Sequence, residues 1–150
     1  MEHNNKLYLT SNEEVLFDDN YRYKISIIET LQVLKKGTYI TILDNFKRFC
    51  DELMFDDKLL IKIIGKSLSC KSGIDKIGRY YLQGQYSISN VKYIVYSFIQ
   101  NYLLCINCDK PEVNLKHKNT KIKQKCRACG NNSYLTECKE EIIHIFKNHM

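Results

Sequence analysis

The sequence lacks any run of about 18 apolar residues, the length that a membrane span needs. It has one proline, Pro111, and six sparse glycines, with no internal repeat or low-complexity tract that would mark a linker. The segment from Met1 to Asn12 is polar and has none of the features of a secretory signal. We therefore expect a soluble protein of the cytoplasm or nucleus, whose domain boundaries must be inferred from hydrophobic periodicity.

A catalytic constellation is also missing. Gly65-Lys66-Ser67 ends like a phosphate-binding loop, but Leu60 stands where that motif needs its first glycine. The four histidines have no spacing that pairs them with a cysteine or carboxylate, so we expect solvated side chains. Cys50 and Cys70 lie among apolar residues, which favours inert thiols. The sequence therefore predicts a binding protein with no catalytic site of its own.

Two CxxC pairs are the strongest chemical signal in the chain. Cys105 and Cys108 are followed, after seventeen residues, by Cys126 and Cys129. This spacing is typical of a closed four-thiolate site for one structural Zn²⁺ ion, and Gly130 suits the tight turn that such a site needs. The alternatives are four unrelated thiols or two disulfides. The odd total of seven cysteines and the absence of a secretory signal argue against disulfides.

Most of the net charge of +6 is carried by the stretch from Asp109 to Cys129. This stretch has two acidic residues, Asp109 and Glu112, and also contains Lys110. Its six other basic residues, which we call the basic finger, are Lys116, Lys118, Lys121, Lys123, Lys125 and Arg127. A basic hairpin is the usual electrostatic feature of phosphate contact, so we predict RNA binding by these six residues. The alternative is a solvated hairpin in a lysine-rich chain.

Hydrophobic periodicity predicts both strands and helices. Alternating and β-branched segments predict strands at 21–27, 38–43 and 79–84, with a turn at 71–73. Apolar stripes predict helices at 46–53, with Asp44 or Asn45 as N-cap, at 57–68, and from an N-cap at Ser89 to Cys105. The last of these is expected to run directly into the first CxxC pair.

These elements predict an α+β fold, in which a small mixed α/β core is followed by a C-terminal four-cysteine zinc ribbon. We predict four segments: a flexible N-terminal arm at 1–20, the α/β core at 21–103, the zinc ribbon at 104–138, and an apolar segment at 139–150 that packs on the core or the ribbon.

Arg22 stands between Tyr21 and Tyr23, next to the predicted arm. An arginine in this setting can stack on a ring, pair with an RNA phosphate, or reach into the nucleotide site of another protein. An ordinary arginine on the surface of a strand is the alternative.

Several strings resemble those of one known family. Tyr21-Arg22-Tyr23-Lys24, Cys126-Arg127-Ala128-Cys129-Gly130 and Phe146-Lys147-Asn148 resemble the N-terminal domain of translation initiation factor 5. Gln32-Val33, Gly37-Thr38, Asn45-Phe46, Cys50, Ser72-Gly73-Ile74-Asp75 and the seventeen-residue spacing resemble the beta subunit of translation initiation factor 2. The two proteins form one family, and the resemblance covers nearly the whole chain from about Tyr21.

The resemblance implies a cytoplasmic translation initiation factor. Its implied partners are the GTPase gamma subunit of the initiator-tRNA carrier, initiator tRNA and the RNA of the small ribosomal subunit, with no membrane. In the factor 5 branch, Arg22 corresponds to the arginine that acts in trans to stimulate GTP hydrolysis. We favour this branch.

Three alternatives remain open. The beta-subunit branch implies a structural component docked on the gamma subunit through an N-terminal helix, for which 7–17 would have to serve. A competitor would occupy the carrier without stimulating it. A zinc-ribbon module that acts on DNA or the transcription machinery is the third.

Overall fold

The computed structural model describes residues 1–149. They divide into two compact units: 27–95 form one, and 1–26 together with the chain from Tyr96 onward form the other. The α+β class is as predicted. The unit boundaries differ from the predicted ones, because the N-terminal residues group with the cysteine-rich part of the chain.

Within residues 1–149 we number ten strands and four α-helices in chain order. The strands are β1 (Glu2–His3), β2 (Lys6–Tyr8), β3 (Lys24–Ser26), β4 (Thr30–Lys35), β5 (Thr38–Leu43), β6 (Ser72–Ile74), β7 (Tyr80–Gln83), β8 (Val113–Lys118), β9 (Lys121–Cys126) and β10 (Asn132–Tyr134). The helices are α1 (Phe46–Leu53), α2 (Asp57–Ser67), α3 (Ile88–Phe98) and α4 (Glu140–His149), with a 3₁₀ helix at Glu13–Phe17 and a π-helical turn at Ile99–Leu103.

The unit of residues 27–95 is built on an antiparallel sheet with strand order β4-β5-β7-β6. Helices α1 and α2 pack on one face: the Phe46 ring lies 5.0 Å from that of Tyr80, and Ser72 Oγ donates to the Ile61 carbonyl at 3.1 Å. Phe49, Cys50, Leu60, Ile63, Ile64 and Leu82 are fully buried. Burial raises the pKa of Cys50, which supports the prediction of an inert thiol.

The predicted helices 46–53 and 57–68 are confirmed as α1 and α2, but their caps differ in chemistry. Asp56 accepts from the Lys58 and Leu59 amides at 2.8 and 3.1 Å, as an N-cap should. The Asn45 side chain makes no such bond. It accepts instead from the Glu29 amide at 2.9 Å and donates to the Ile27 carbonyl at 2.7 Å, so it fixes the preceding loop.

Helix α3 begins at Ile88, two residues before the start that the predicted N-cap at Ser89 would give. Ser87 Oγ accepts from the Asn90 amide at 3.2 Å, which makes Ser87 the capping side chain. The helix continues through the π-helical turn and ends next to Cys105, as predicted.

The predicted strands at 38–43 and 79–84 are confirmed as β5 and β7, but two other predictions need correction. The predicted strand 21–27 is reduced to β3, which pairs with β2. Strand β5 pairs with β4 through the turn at Lys36 and Gly37. The predicted turn at 71–73 lies largely in β6, which pairs with β7. Both errors arise because a local pattern does not show which residues find a partner strand.

Residues 1–20, predicted as a flexible arm, contain β1, β2 and the 3₁₀ helix, and β3 completes an antiparallel sheet of order β1-β2-β3. Leu7, Tyr8, Leu9 and Thr10 are buried, with at most 3% of each residue exposed. Asn4 and Asn5 take positive φ values and form the turn between the first two strands. The polar residues of this segment lie mainly in its turns. Its overall composition therefore does not reveal the short apolar strand.

Gly65 lies inside α2, which agrees with the rejection of a phosphate-binding loop at this position. A Cβ atom there would lie 2.1 Å from Ser72 Oγ and 3.3 Å from the Cys70 carbonyl oxygen. We expect Gly65→Ala to destabilise the protein by about 1–3 kcal/mol, because α2 must move away from β6. Urea denaturation measures the loss. Lys66→Ala, an exposed change in the same turn, is the control, and Ser72→Gly should restore part of the stability of the Gly65→Ala variant.

Candidate metal centre and nucleic-acid interface

The two CxxC pairs form matching turns. Cys105 and Cys108 lie between the π-helical turn and β8, whereas Cys126 ends β9 and Cys129 lies between β9 and β10. In each turn the amide after the second cysteine donates to the carbonyl of the first: Asp109 N to Cys105 O at 2.9 Å, and Gly130 N to Cys126 O at 3.1 Å. The strand register therefore brings two equivalent loops to one end of the β8-β9-β10 sheet.

The four cysteine sulfurs of these turns all lie within 4.8 Å of one another. The Cys105–Cys129 and Cys108–Cys126 sulfur pairs are each 3.7 Å apart. A tetrahedral ion with metal–sulfur bonds of about 2.3 Å has sulfur–sulfur edges of about 3.8 Å. This cluster can therefore hold one metal ion with four thiolate ligands.

Hydrogen bonds from N–H donors stabilise a negative charge on several of the sulfurs. The Asn107 and Ala128 amides donate to the sulfurs of Cys105 and Cys126 at 3.4 and 3.3 Å. The Asn107 side-chain amide donates to Cys129 at 3.5 Å, and this bond contributes most to lowering the pKa of Cys129 to about 6. Burial instead raises the pKa of Cys108 to about 12. A bound cation favours the thiolate of every ligand, including the buried ones.

Asp109 is a structural residue of the site that the sequence analysis missed. It follows Cys108 with φ of 63°, as Gly130 follows Cys129 with φ of 78°, so the predicted turn at Gly130 has a counterpart without glycine. The Asp109 carboxylate accepts from the Thr10 hydroxyl at 2.6 Å and from the Ser11 amide at 3.0 Å. The N-terminal segment thus holds the first CxxC turn.

Gln124 is a second missed residue. It is fully buried in β9. Its side-chain amide donates to the carbonyls of Tyr102 and Leu104 at 3.1 and 2.9 Å, and its oxygen accepts from the Ile106 amide at 3.1 Å. The chain entering the first CxxC turn is thereby bonded to the strand that leads to the second. A lysine-rich strand gives no local signal that its one glutamine is buried.

The exposed Arg22 lies on a short segment held by two tyrosines. Tyr21 donates to the Leu9 carbonyl at 2.8 Å, and Tyr23 donates to the Glu112 carboxylate at 2.6 Å. The Arg22 guanidinium lies 5.7 Å from the centre of the Tyr23 ring. Arg22 precedes β3, so it is presented by an anchored loop and not by a strand surface.

Glu112 also contacts Arg127, a member of the basic finger. The Arg127 amide donates to the Glu112 carbonyl at 2.7 Å, and Arg127 Nε lies 3.8 Å from the Glu112 carboxylate. Arg127 therefore contacts Glu112 through both its backbone and its side chain. The Tyr23 hydroxyl bonds to the other carboxylate oxygen of the same residue, so the second CxxC turn is linked to the segment of Arg22.

The five lysines of the basic finger share one face of the β8-β9-β10 sheet. In the register, Lys116 lies opposite Lys123 and Lys118 lies opposite Lys121. Lys125, two residues beyond Lys123 in β9, faces the same side. Like charges placed directly opposite each other destabilise a sheet. From 113 to 134 the sequence has no acidic residue to offset them, which leaves this face complementary to a polyanion.

No helix within residues 1–149 is long and apolar enough to span a membrane.

A family model described as the domain found in initiation factors 2B and 5 matches residues 12–132. The chain is 32% identical over 90 residues to translation initiation factor 2 subunit beta of Sulfurisphaera tokodaii, covering 60% of this chain and 65% of that one. It is 26% identical over 98 residues to the same subunit of Haloarcula marismortui, covering 65% and 73%. It is also 31% identical over 115 residues to eukaryotic translation initiation factor 5 of Caenorhabditis elegans, covering 75% and 26%.

The chain thus spans about two thirds of the archaeal relatives and about a quarter of the nematode protein. The matched residues include Arg22, all four clustered cysteines and the basic finger. The relatives are named as translation initiation factors, and neither name is that of a catalytic enzyme. The chain belongs to the family of translation initiation factors whose shared domain occurs in factor 5 and in the beta subunit of factor 2.

Proposed function

We propose that this protein is a factor 5-like translation initiation factor, which binds the GTPase gamma subunit of the initiator-tRNA carrier and stimulates its GTP hydrolysis through Arg22. The presentation of Arg22 carries the proposal. Its guanidinium is exposed, whereas the tyrosines on both sides are hydrogen-bonded to the rest of the unit. An arginine supplied in trans can stabilise charge on the transferring phosphoryl group. The protein would act in the cytoplasm, where translation initiation takes place.

The metal in this proposal is one structural Zn²⁺ ion bound by Cys105, Cys108, Cys126 and Cys129. The sulfur separations of 3.7 Å support an ion of this size. Four protein ligands leave no open coordination position, so the ion would fold the ribbon and take no part in chemistry. The backbone amides of Asn107 and Ala128 donate to two of the four sulfurs and orient these thiolates.

The second proposed contact is with RNA. The lysine face of the β8-β9-β10 sheet would bind phosphates of the small ribosomal subunit RNA and of initiator tRNA. Arg127 is the exception within the basic finger, because its contacts with Glu112 and Asn114 favour a structural role. The five lysines are thus the better candidates.

The test is a GTP hydrolysis assay on the purified carrier complex, with and without this chain. Stimulation supports the factor 5-like proposal. Stable binding without stimulation supports a structural beta subunit, and displacement of an authentic activator without stimulation supports a competitor. If the chain recovers polymerase subunits and no initiation factors in a pulldown, the transcription module replaces all three.

The beta-subunit function is the second candidate, and the two archaeal relatives named as beta subunits favour it. One observation weighs against it. The segment 7–17, which would have to supply a docking helix, contains the end of strand β2 and a 3₁₀ helix, with Leu7 fully buried. Docking through this segment would require β2 to leave its sheet.

RNA binding through the lysine face gives a direct prediction. Replacing Lys121, Lys123 and Lys125 together by alanine should weaken RNA binding, because fewer phosphates are neutralised. The slope of log K against log salt should fall by about 0.7 for each single-strand phosphate that the variant no longer neutralises. Fluorescence anisotropy over a salt series measures the slope.

The matched control for this variant replaces Lys58, Lys62 and Lys66, three exposed lysines of α2, by alanine. It removes the same charge from the protein but leaves the lysine face of the β8-β9-β10 sheet unchanged. Equal slopes for the native protein and the finger variant would show that the lysine face is merely solvated.

A further inference from the structure

A cleft of about 670 Å³ lies between the turn of the β8-β9 hairpin and helix α4. The basic groups along its wall are His117 and Lys121 from the hairpin and His144 and Lys147 from α4. Among the lining residues of the described chain, Glu140 alone is acidic. The cleft is therefore large enough for part of a small ligand and favours an anionic one.

Tyr134 forms the aromatic part of the wall. It is 40% exposed and lies opposite Lys123 in the strand register. The ammonium groups of Lys121 and Lys123 lie 5.9 and 5.6 Å from the centre of its ring. These contacts place two cations over an aromatic ring that stays partly exposed.

An aromatic surface flanked by cations is the arrangement that recognises a nucleotide. The base stacks on the ring, and the ammonium groups contact the phosphates on either side. A base can reach Tyr134 only when it is unstacked, as in a single strand, because a duplex keeps its bases inside. Simple phosphate binding by a solvated sheet would not require the aromatic ring or the cleft.

We propose that this cleft binds one nucleotide of single-stranded RNA, with its base on Tyr134 and its flanking phosphates at Lys121 and Lys123. The inference rests on the proposed contact between the lysine face and RNA, and adds to it a recognition of the base. The cleft makes the face selective for single strands, whereas the lysines alone would also bind a duplex.

The test uses the zinc-loaded full chain and two fluorescent oligomers of equal length, oligouridylate and an abasic ribose-phosphate chain. Tyr134→Leu should weaken binding of oligouridylate by about 5- to 100-fold, because the stacking surface is removed. Tyr134→Phe keeps the ring and should bind within about twofold of the native protein. The abasic chain should bind the native protein and Tyr134→Leu equally.

Uridine monophosphate is added as a competitor to separate RNA from a free nucleotide. Displacement of oligouridylate only at concentrations far above those of the oligomer supports RNA. Displacement at comparable concentrations would show that a free nucleotide is the ligand, and would overturn the proposal.

Two further outcomes overturn the inference in distinguishable ways. If Tyr134→Leu binds oligouridylate as tightly as the native protein does, no base stacks on Tyr134, but RNA binding by the lysines stands. If neither oligomer binds the native protein, the proposed RNA contact itself fails. Circular dichroism of both Tyr134 variants confirms that each is folded.

Discussion

Replacing Cys126 by serine is expected to unfold the β8-β9-β10 sheet while the unit of residues 27–95 stays folded. Cys126 is 1% exposed and ends the central strand of that sheet. Apparent binding free energies of structural zinc in small domains are about 10–16 kcal/mol, and a ribbon of this size has little other core. Amide hydrogen exchange, followed separately in the two units, measures the effect.

The matched control is Cys138→Ser. Cys138 is half-buried in the same part of the chain but lies outside the sulfur cluster. This variant should keep protected amides in β8 and β9. Elemental analysis should find one zinc ion per chain in the native protein and in Cys138→Ser, and a much reduced content in Cys126→Ser.

Removing the metal from the native protein with a chelator should have the same result as Cys126→Ser. Its effect should extend to the N-terminal segment, because Thr10 and Ser11 bond to Asp109, directly after the Cys108 turn. A ribbon that keeps its protected amides after chelation and contains no stoichiometric metal would contradict the proposed zinc site.

The sequence was sufficient to place the four cysteines together because the ligand spacing is a local property. The stripe of α1, from Phe46 to Leu53, was predictable for the same reason. The hydrogen bond between Tyr23 and Glu112 was not, since it joins residues 89 positions apart. Burial of Gln124 depends on the path of the chain at Tyr102 and Leu104, which no pattern within β9 records.

The N-terminal segment is a second case in which local sequence patterns do not reveal contacts with distant residues. Its asparagines and acidic residues indicated a mobile arm, but Asn4 and Asn5 form a turn, and Asn12 accepts from the Glu14 amide at 3.0 Å to cap the 3₁₀ helix. Polar residues in turns resemble those of a disordered segment when the partner strand is distant. Pairing of β2 with β3 distinguishes the two cases.

Arg22→Ala is expected to reduce the stimulated rate of GTP hydrolysis by roughly 10³-fold or more, if the chain acts as proposed. Single-turnover hydrolysis on the carrier complex at saturating chain measures the rate constant. Affinity for the carrier should change little, because an arginine of this kind acts mainly on charge that develops in the transition state. Unchanged stimulation by Arg22→Ala would contradict the assignment and favour the beta-subunit function.

Two matched variants separate the charge of Arg22 from its placement. Arg22→Lys keeps a cation but loses the planar fork, so it should recover only a small part of the stimulation. Tyr23→Phe keeps Arg22 and the ring beneath it but removes the bond to Glu112, and with it the link to Arg127 and the second CxxC turn. A lower rate constant with unchanged affinity for Tyr23→Phe would show that the ribbon holds Arg22 in position. The metal would then contribute to GTP hydrolysis through the loop it stabilises, without contact with the nucleotide.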